Sequence, residues 1–183
     1  KDITYYIGLG KETLQNFEFQ QVGLKFSQTQ KKNLQTVATL LVSEFINEKQ
    51  FEEFTKGLLL GTYTYPFNKT HSFWNKSFEL HFGNLSQKKL DTISSRINAI
   101  CEGQTACQDW LNKPANMKKP GVFNNYLKNL AKKNQLKYTV FNRKKCEELG
   151  LGAFLSVNQG SAHDAAFTII EYKTTEKKAK TFG

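Results

Sequence analysis

The chain contains one stretch that interrupts regular structure beyond its midpoint, Asn112-Lys-Pro-Ala-Asn-Met-Lys-Lys-Pro120. Pro114 and Pro120 disfavour an uninterrupted helix or strand because proline lacks the backbone N–H that both structures use. An internal proline would cost a helix about 3 kcal/mol. The stretch therefore predicts a loop between two helices, with Pro120 as the first residue of the second helix.

Helical periodicity flanks this loop on both sides. A long amphipathic helix is predicted from Ser86, its N-cap, to about Cys107, and a shorter one from Pro120. The apolar positions that define them are Leu90, Ile93, Ile97, Ile100 and Cys101 in the first helix, and Val122, Phe123, Tyr126, Leu127 and Leu130 in the second. We interpret residues 86–108 as a helix that connects two domains.

Shorter apolar patterns predict the remaining elements. They indicate strands over 3–7, 77–82, 136–141, 153–157 and 166–172, helices over 34–45, 51–61 and 142–150, and the start of a further strand at 180–183. Asn142 is expected to cap the helix that ends near Gly150. Strands and helices alternate, so the predicted fold class is α/β.

Composition excludes two broad classes of protein. The 183 residues are 39% hydrophobic and 13% aromatic, enough to bury a core, which argues against a disordered chain. No apolar run approaches the ~18 residues of a membrane span, so no membrane role is expected. The three cysteines, Cys101, Cys107 and Cys146, form neither a disulfide framework nor a CxxC pair. A reducing, cytoplasmic setting fits them best.

Two short patterns superficially suggest an active site, and neither holds. The turn Gly8-Leu-Gly-Lys-Glu-Thr13 lacks the glycine that a Walker loop requires five positions before Gly10. Ser161, His163 and Asp164 are the residue types of a hydrolase triad, but triad side chains ordinarily converge from distant segments. We interpret them as a polar turn between two strands.

The metal-binding residue types are also scattered. His71, His81 and His163 match no known zinc spacing. The acids that cluster, Glu52 with Glu53 and Glu147 with Glu148, are adjacent pairs on predicted amphipathic helices, where we expect them to promote solubility. The sequence therefore assigns no catalytic, metal-binding or cofactor-binding residue.

Positive charge is concentrated in the second half of the chain. The formal net charge is +10, and no acid lies between Asp109 and Glu147. Such a segment can attract phosphate groups, although lysines on the outer face of a helix are more often simply solvated. A nucleic-acid-binding or regulatory module that uses residues 113–145 therefore remains an alternative function.

Four stretches resemble the leucyl (cytosol) aminopeptidases, the M17 peptidase family. Gln108-Asp-Trp-Leu-Asn-Lys-Pro-Ala-Asn116 resembles the family motif R-D-L-x-N-x-P-x-N, with glutamine in place of arginine. Gly150-Leu-Gly-Ala-Phe-Leu-Ser-Val-Asn-Gln-Gly-Ser161 is similar to G-M-G-A-x-x-x-V-x-x-G-S, with leucine in place of methionine. Less specifically, Ile7-Gly-Leu-Gly-Lys11 is similar to V-G-L-G-K, and Gly57-Leu-Leu-Leu-Gly-Thr-Tyr63 to E-G-x-x-L-x-x-Y.

The resemblance implies a fragment truncated at both ends. It would comprise a partial macro-like α/β domain over 1–85, the connecting helix over 86–108, and the beginning of an α/β catalytic domain over 109–183. A macro-like domain that recognises ADP-ribose is a further alternative. The turn with Gly8 and Gly10 is the one sequence feature that supports it.

Family members are hexameric two-metal exopeptidases, using zinc or manganese, that remove N-terminal residues such as leucine from peptides. In the family, the metal-binding lysine and carboxylates follow a strand like Lys180-Thr-Phe-Gly183. The resemblance thus implies that this chain stops before the metal ligands and is inactive alone.

We predict that any nucleic-acid binding by residues 113–145 is weak, insensitive to base sequence and strongly dependent on salt. Lysine contacts to phosphate release counterions without reading bases. A mobility-shift assay at two salt concentrations measures this directly. Sequence-specific binding that persists above physiological salt would overturn the prediction.

Overall fold

The structure, a computed structural model, describes residues 6–9, 14–30, 39–42, 47–65, 79–82, 85–176 and 179–181. The chain forms two compact units, Lys1–Asn112 and Lys113–Gly183. The three-part domain division predicted from the sequence stays a prediction. None of the helices within the described ranges combines the length and the apolar character that a bilayer span requires.

The first unit contains three helices and two short strands among its described residues. In chain order they are α1 (Asn16–Thr29), β1 (Thr39–Val42), α2 (Glu48–Gly61), β2 (Glu79–Phe82) and α3 (Gln87–Asn112). Strands β1 and β2 pair in parallel, with Thr39 opposite Glu79 and Val42 opposite Phe82. A parallel pair needs a crossover connection, and α2 lies within that connection.

Helices α1 and α2 approach each other so closely that only glycine fits at the contact. A Cβ atom added at Gly57 would overlap the carbonyl oxygen of Gln20 and lie 2.8 Å from the backbone nitrogen of Leu24. A Cβ at Gly23 would overlap the carbonyl oxygen of Phe54. Backbone therefore packs on backbone, which any larger residue would prevent.

Gly61 makes the same kind of contact one turn further along α2. A Cβ there would overlap the hydroxyl oxygen of Ser27, a residue that is fully buried. We call Gly23, Gly57 and Gly61 the glycine seam. It fixes the distance between the two helices along their length.

The other side of α2 packs on α3 through apolar side chains. The hydrophobic cluster that joins them consists of Phe51, Leu60, Ile93, Ile97 and Cys101. At the start of α2, Asn47 accepts a hydrogen bond from the Gln50 N–H (3.0 Å) while the Gln50 side chain accepts one from the Asn47 N–H (3.2 Å). This reciprocal cap satisfies donors that a helix N-terminus otherwise leaves unpaired.

Among its described residues, the second unit forms four helical segments and an antiparallel strand pair. They are a 3-10 turn (Ala115–Met117), α4 (Pro120–Lys133), β3 (Lys137–Asn142), α5 (Arg143–Glu148), α6 (Gly152–Asn158) and β4 (Ala166–Glu171). Lys137 lies opposite Glu171, and Asn142 lies opposite Ala166.

One asparagine joins α4 to this strand pair. Asn124 Oδ1 accepts hydrogen bonds from the Tyr138 hydroxyl (2.6 Å) and the Thr168 hydroxyl (2.7 Å), one from each strand. On the second face of the pair, Phe167 stacks on Phe141 and meets Phe154 of α6 edge to face. Both faces of the two-stranded sheet therefore carry helices.

Several predictions from the sequence are confirmed. Helix α3 begins one residue after Ser86, whose carbonyl accepts from the Leu90 N–H, and it continues to Asn112, past the predicted end. Pro120 is the first residue of α4, and no helix runs through the loop before it, although a 3-10 turn forms there. Asn142 caps α5, accepting from the Lys145 N–H at 3.0 Å. The α/β class is confirmed as well.

Two predicted elements are wrong. The helix over 34–45 is replaced at Thr39–Val42 by strand β1; the rest of that range lies outside the described residues. The strand over 153–157 is helix α6, and Val157 is 84% exposed rather than buried. Short apolar runs fit a strand or a helix equally well by periodicity, which explains both errors.

One element was missed, and two predictions lie largely outside the described residues. The buried residues of helix α1 are Phe19, Gly23, Phe26 and Ser27, so two small residues interrupt the apolar pattern that the phenylalanines begin. The predicted strands at 3–7 and 180–183 fall mostly on residues that are not described; residues 6–7 and 180–181 show no regular structure.

We predict that Gly57→Ala destabilises the protein by at least about 2 kcal/mol because the new methyl group overlaps the α1 backbone. Gly103→Ala is the matched control. Gly103 also lies inside a helix, but its added Cβ meets nothing within 4 Å. Alanine should therefore stabilise α3 by up to about 1 kcal/mol.

Chemical denaturation of both variants measures the two effects. Opposite signs are expected, although both changes replace a helical glycine by alanine. Equal stabilisation by the two substitutions would show that the glycine seam is not as tight as described.

Candidate functional site

The glycine turn near the start shows no binding geometry. Gly8 and Leu9 are exposed and without regular structure, and a Cβ at Gly8 would meet nothing within 4 Å. Residues 10–13 lie outside the described part of the chain. No phosphate-binding loop can be built from the residues that are described there.

Ser161, His163 and Asp164 lie in an exposed turn between α6 and β4. Ser161 Oγ accepts a hydrogen bond from the backbone N–H of His163 at 3.1 Å, and Asn158 donates to the His163 carbonyl at 3.2 Å. These bonds shape the turn. The interpretation as a polar turn is confirmed, except that the element before it is a helix.

The cysteines are all free. Cys101 and Cys146 are buried, as expected of small apolar side chains, whereas Cys107 is exposed. Cys101 and Cys107 would meet only if the helix broke between them, and α3 is continuous there. Burial raises the pKa of the Cys101 thiol, which opposes reactivity.

No metal centre is formed by the described residues. Among them, no group of three or more His, Cys, Asp or Glu side chains is close enough together to hold an ion. His71 lies outside the described range, and His163 is in the exposed turn. His81 is in β2.

The acid pair on α2 contradicts the expectation of a solubilising role. Glu52 and Glu53 are 3% and 9% exposed. Arg96 of α3 makes a bidentate contact to Glu52, with distances of 3.0 and 2.7 Å, and Lys49 lies 3.5 Å from the same carboxylate. Burial of a carboxylate is tolerated when it is paired in this way.

Glu53 has its own pair of cations. Lys56 lies 2.8 Å and Lys49 lies 3.2 Å from its carboxylate. Burial alone would raise the pKa of Glu53, but the hydrogen bonds from Lys56 and Lys49 outweigh it and lower that pKa. Both carboxylates are therefore committed to structure and not available as metal ligands.

The second acid pair does lie at the surface. Glu147 and Glu148 are exposed, and they face Arg143 at 3.7 Å and Lys145 at 3.0 Å. The expectation for this pair is consistent with its exposure. Exposed ion pairs of this kind contribute little to stability.

Acids just outside the basic segment reduce its charge. Lys137 lies 2.7 Å from Glu171, and Arg143 and Lys145 are paired with Glu147 and Glu148. These contacts leave fewer uncompensated cations than the sequence suggests. No described geometry within 113–145 points to base recognition.

The structure brings together residues from two of the family-like stretches. The Tyr63 hydroxyl donates to Asp109 Oδ1 at 2.8 Å, and Asn112 Nδ2 donates to the Tyr63 hydroxyl oxygen at 3.3 Å. Burial is the largest cause of the raised pKa of Tyr63. The contact with Asp109 also raises this pKa, and the hydrogen bond from Asn112 lowers it in part. The sequence pointed to each of these residues, but not to their contact, because Tyr63 and Asp109 are 46 positions apart.

The 150–161 stretch forms the turn after α5 and helix α6. Gly150 has φ +69°, a left-handed conformation that favours glycine and ends α5. Ser161 closes the stretch in the exposed turn. The motif residues in this stretch therefore shape the backbone, and they do not converge on a described pocket.

The second part of the chain matches the model of a known protein family. Residues 105–183 match the family model described as the cytosol aminopeptidase family, catalytic domain. A probable cytosol aminopeptidase of Desulfotalea psychrophila is 28% identical over 96% of this chain and 37% of that protein. One from Prochlorococcus marinus is 30% identical over 93% of the chain and 35% of that protein. The chain thus spans little more than a third of the length of these relatives.

Solved structures agree in fold. A mutant of tomato leucine aminopeptidase aligns with 95% of this chain and 36% of its own, with a TM-score of 0.78 and 19% identity. The bottromycin maturation enzyme BotP in complex with Mn aligns with 88% of this chain and 34% of its own, with a TM-score of 0.63 and 18% identity. At such identities the likeness concerns the fold alone.

We predict that Glu53→Gln reduces the loss of folding stability that occurs when the pH is lowered. The pKa of Glu53 is lowered in the folded chain, so its carboxylate contributes stability above the ordinary value of 4.5. That contribution is lost as pH falls through the folded pKa. The variant should therefore be less stable than wild type at pH 7 and lose less stability on acidification to pH 3.

Melting temperatures at the two pH values test this prediction, with Glu147→Gln as the control. Glu147 is an exposed glutamate in a 3.7 Å ion pair, so its replacement should change little. If the melting temperatures of wild type and Glu53→Gln fell by the same amount between pH 7 and pH 3, the lowered pKa assigned to Glu53 would be contradicted.

Proposed function

Because the chain belongs to the cytosol aminopeptidase (M17) family, we propose that it functions as part of a leucyl aminopeptidase. The complete enzyme removes N-terminal residues such as leucine from peptides. Peptides are therefore the proposed substrates. The observation that carries the proposal is the match of residues 105–183 to the family's catalytic domain.

The packing of the second unit supports a role as one part of a larger catalytic domain. Its fully buried apolar residues, among those described, are Ala131, Cys146 and Ala165, all small. Its large apolar side chains are at least partly exposed, and every residue of β4 is only half-buried. Small units with so little core are marginal on their own.

We place the metal chemistry outside the described residues. Two divalent ions, zinc or manganese, would generate hydroxide and polarise the peptide carbonyl in the complete enzyme. The residues present here do not fit such a site, since Glu52 and Glu53 are held in ion pairs. No catalytic, metal-binding or cofactor-binding role is therefore proposed for a residue of this chain.

Location and assembly follow from the same proposal. The relatives carry the name cytosol aminopeptidase, and the cysteines Cys101, Cys107 and Cys146 are free thiols, which supports a cytoplasmic enzyme. A hexameric complete enzyme is part of the proposal by resemblance. No observation favours nucleic-acid binding as a second function.

We predict that the 183-residue chain alone does not hydrolyse leucine p-nitroanilide and does not bind zinc or manganese tightly. A bound divalent ion needs about four to six ligands in fixed geometry. Any longer product of the gene that reaches the length of the relatives should have both properties.

The assay uses chain of verified mass, with and without a chelator. Heat-denatured chain controls for metal bound non-specifically. Activity that the chelator abolishes and manganese restores in the 183-residue chain would show that the active site has been misplaced.

A further inference from the structure

The end of helix α3 lies both in the first compact unit and in the segment that matches the catalytic domain. The catalytic-domain match begins at residue 105, yet the first compact unit continues to Asn112. Residues 105–112 therefore match the catalytic domain in sequence while packing as part of the first unit. We call them the shared segment. A contact within the first unit must hold them there.

Apolar burial along α3 ends before this segment. The buried residues of the helix are Ile93, Ile97 and Cys101, and every residue from 102 to 112 is at least partly exposed. At about 1.5 Å per residue, the helix continues for about 16 Å beyond Cys101. Its last turns thus bury less of their apolar surface than its first turns do.

Tyr63 supplies polar contacts to these last turns from a rigid base. Thr62 is 1% exposed and caps α2, with its hydroxyl 2.6 Å and its N–H 3.3 Å from the Leu59 carbonyl. The Tyr63 N–H donates to the Leu60 carbonyl at 3.1 Å. The tyrosine therefore follows directly from the end of α2 that the glycine seam holds against α1.

We propose that the Tyr63 hydroxyl is a positioning group that fixes the shared segment on the first unit. By holding Asp109 and Asn112, it determines where α3 ends and where the chain enters the loop before Pro120. Only the identity of the following segment as a catalytic domain rests on the proposed function. The contact itself stands on the two hydrogen bonds of 2.8 and 3.3 Å.

The chemistry of the contact requires a neutral phenol. The hydroxyl donates its proton to the Asp109 carboxylate and accepts from the Asn112 amide, so it uses its donor and an acceptor position together. A phenolate could not donate to a carboxylate. A tyrosine hydroxyl, with an ordinary pKa of 10.0, is protonated at neutral pH, and burial raises the pKa of Tyr63 further.

Hydrogen exchange on the 183-residue chain tests the proposal. In Tyr63→Phe, which keeps the ring, the amides of residues 109–113 should lose protection about tenfold, because one short and one long hydrogen bond are removed. The amides of 93–101 should be unchanged. Tyr138→Phe is the control, since it removes a comparable phenol bond, to Asn124, in the second unit.

Variants of Asp109 separate this contact from a general loss of stability. Asp109→Asn keeps an acceptor oxygen and should retain the protection of residues 109–113. Asp109→Ala should lose most of it, since only the 3.3 Å bond from Asn112 remains. Alanine is the better helix former, so a loss of protection cannot come from helix propensity. The double variant Tyr63→Phe/Asp109→Ala should be no worse than Tyr63→Phe alone, since the phenylalanine already removes the bonds to both Asp109 and Asn112.

The opposite results overturn the proposal. These are unchanged exchange at 109–113 in Tyr63→Phe, an equal loss across the first unit, or fully additive effects in the double variant. The measurement uses neither peptide nor metal. A failure of the proposed aminopeptidase function would therefore leave its outcome unaffected.

Discussion

Backbone contact between helices α1 and α2 is the constraint on which the first unit depends. Gly23, Gly57 and Gly61 allow the helices to approach until the main chain of one lies against the main chain of the other. With α1 on one side, α2 offers its apolar side chains, including Phe51 and Leu60, to α3. The glycine seam thus fixes α2, and α2 in turn fixes the position of α3.

Polar contacts between elements add to the stability that the small apolar cores provide. In the first unit, Arg96 of α3 binds the buried Glu52 of α2. Tyr63, which follows α2, binds Asp109 near the end of α3. In the second unit, Asn124 joins α4 to both strands. A buried polar group that loses its partner costs about 1–3 kcal/mol, which applies to Glu52, at 3% exposure. The contacts of the half-buried Tyr63 and Asn124 add orientation between elements at a smaller gain in stability.

The sequence predicted the elements whose pattern is long or whose ends are chemically marked. Helix α3 has an apolar stripe of many turns, Pro120 marks the start of α4, and Asn142 marks the start of α5. Helix α1 has a weaker pattern, because Gly23 and Ser27 alternate with Phe19 and Phe26 among its buried residues. The burial of Glu52 depends on Arg96, which lies 44 positions away, and a single sequence carries no signal for such a pairing. The family-like motifs located the segment that matches the catalytic domain, but the contact of Tyr63 with Asp109 required the structure.

We propose that this chain is one part of a larger aminopeptidase whose metal-binding residues lie outside the residues described. The size of the native protein in its source cells, detected with an antibody raised against the 183-residue chain, tests this most directly. We expect a polypeptide far larger than 21.0 kDa, since the chain covers only 37% of a relative's length. A native polypeptide of 21.0 kDa, with no larger species, would contradict it.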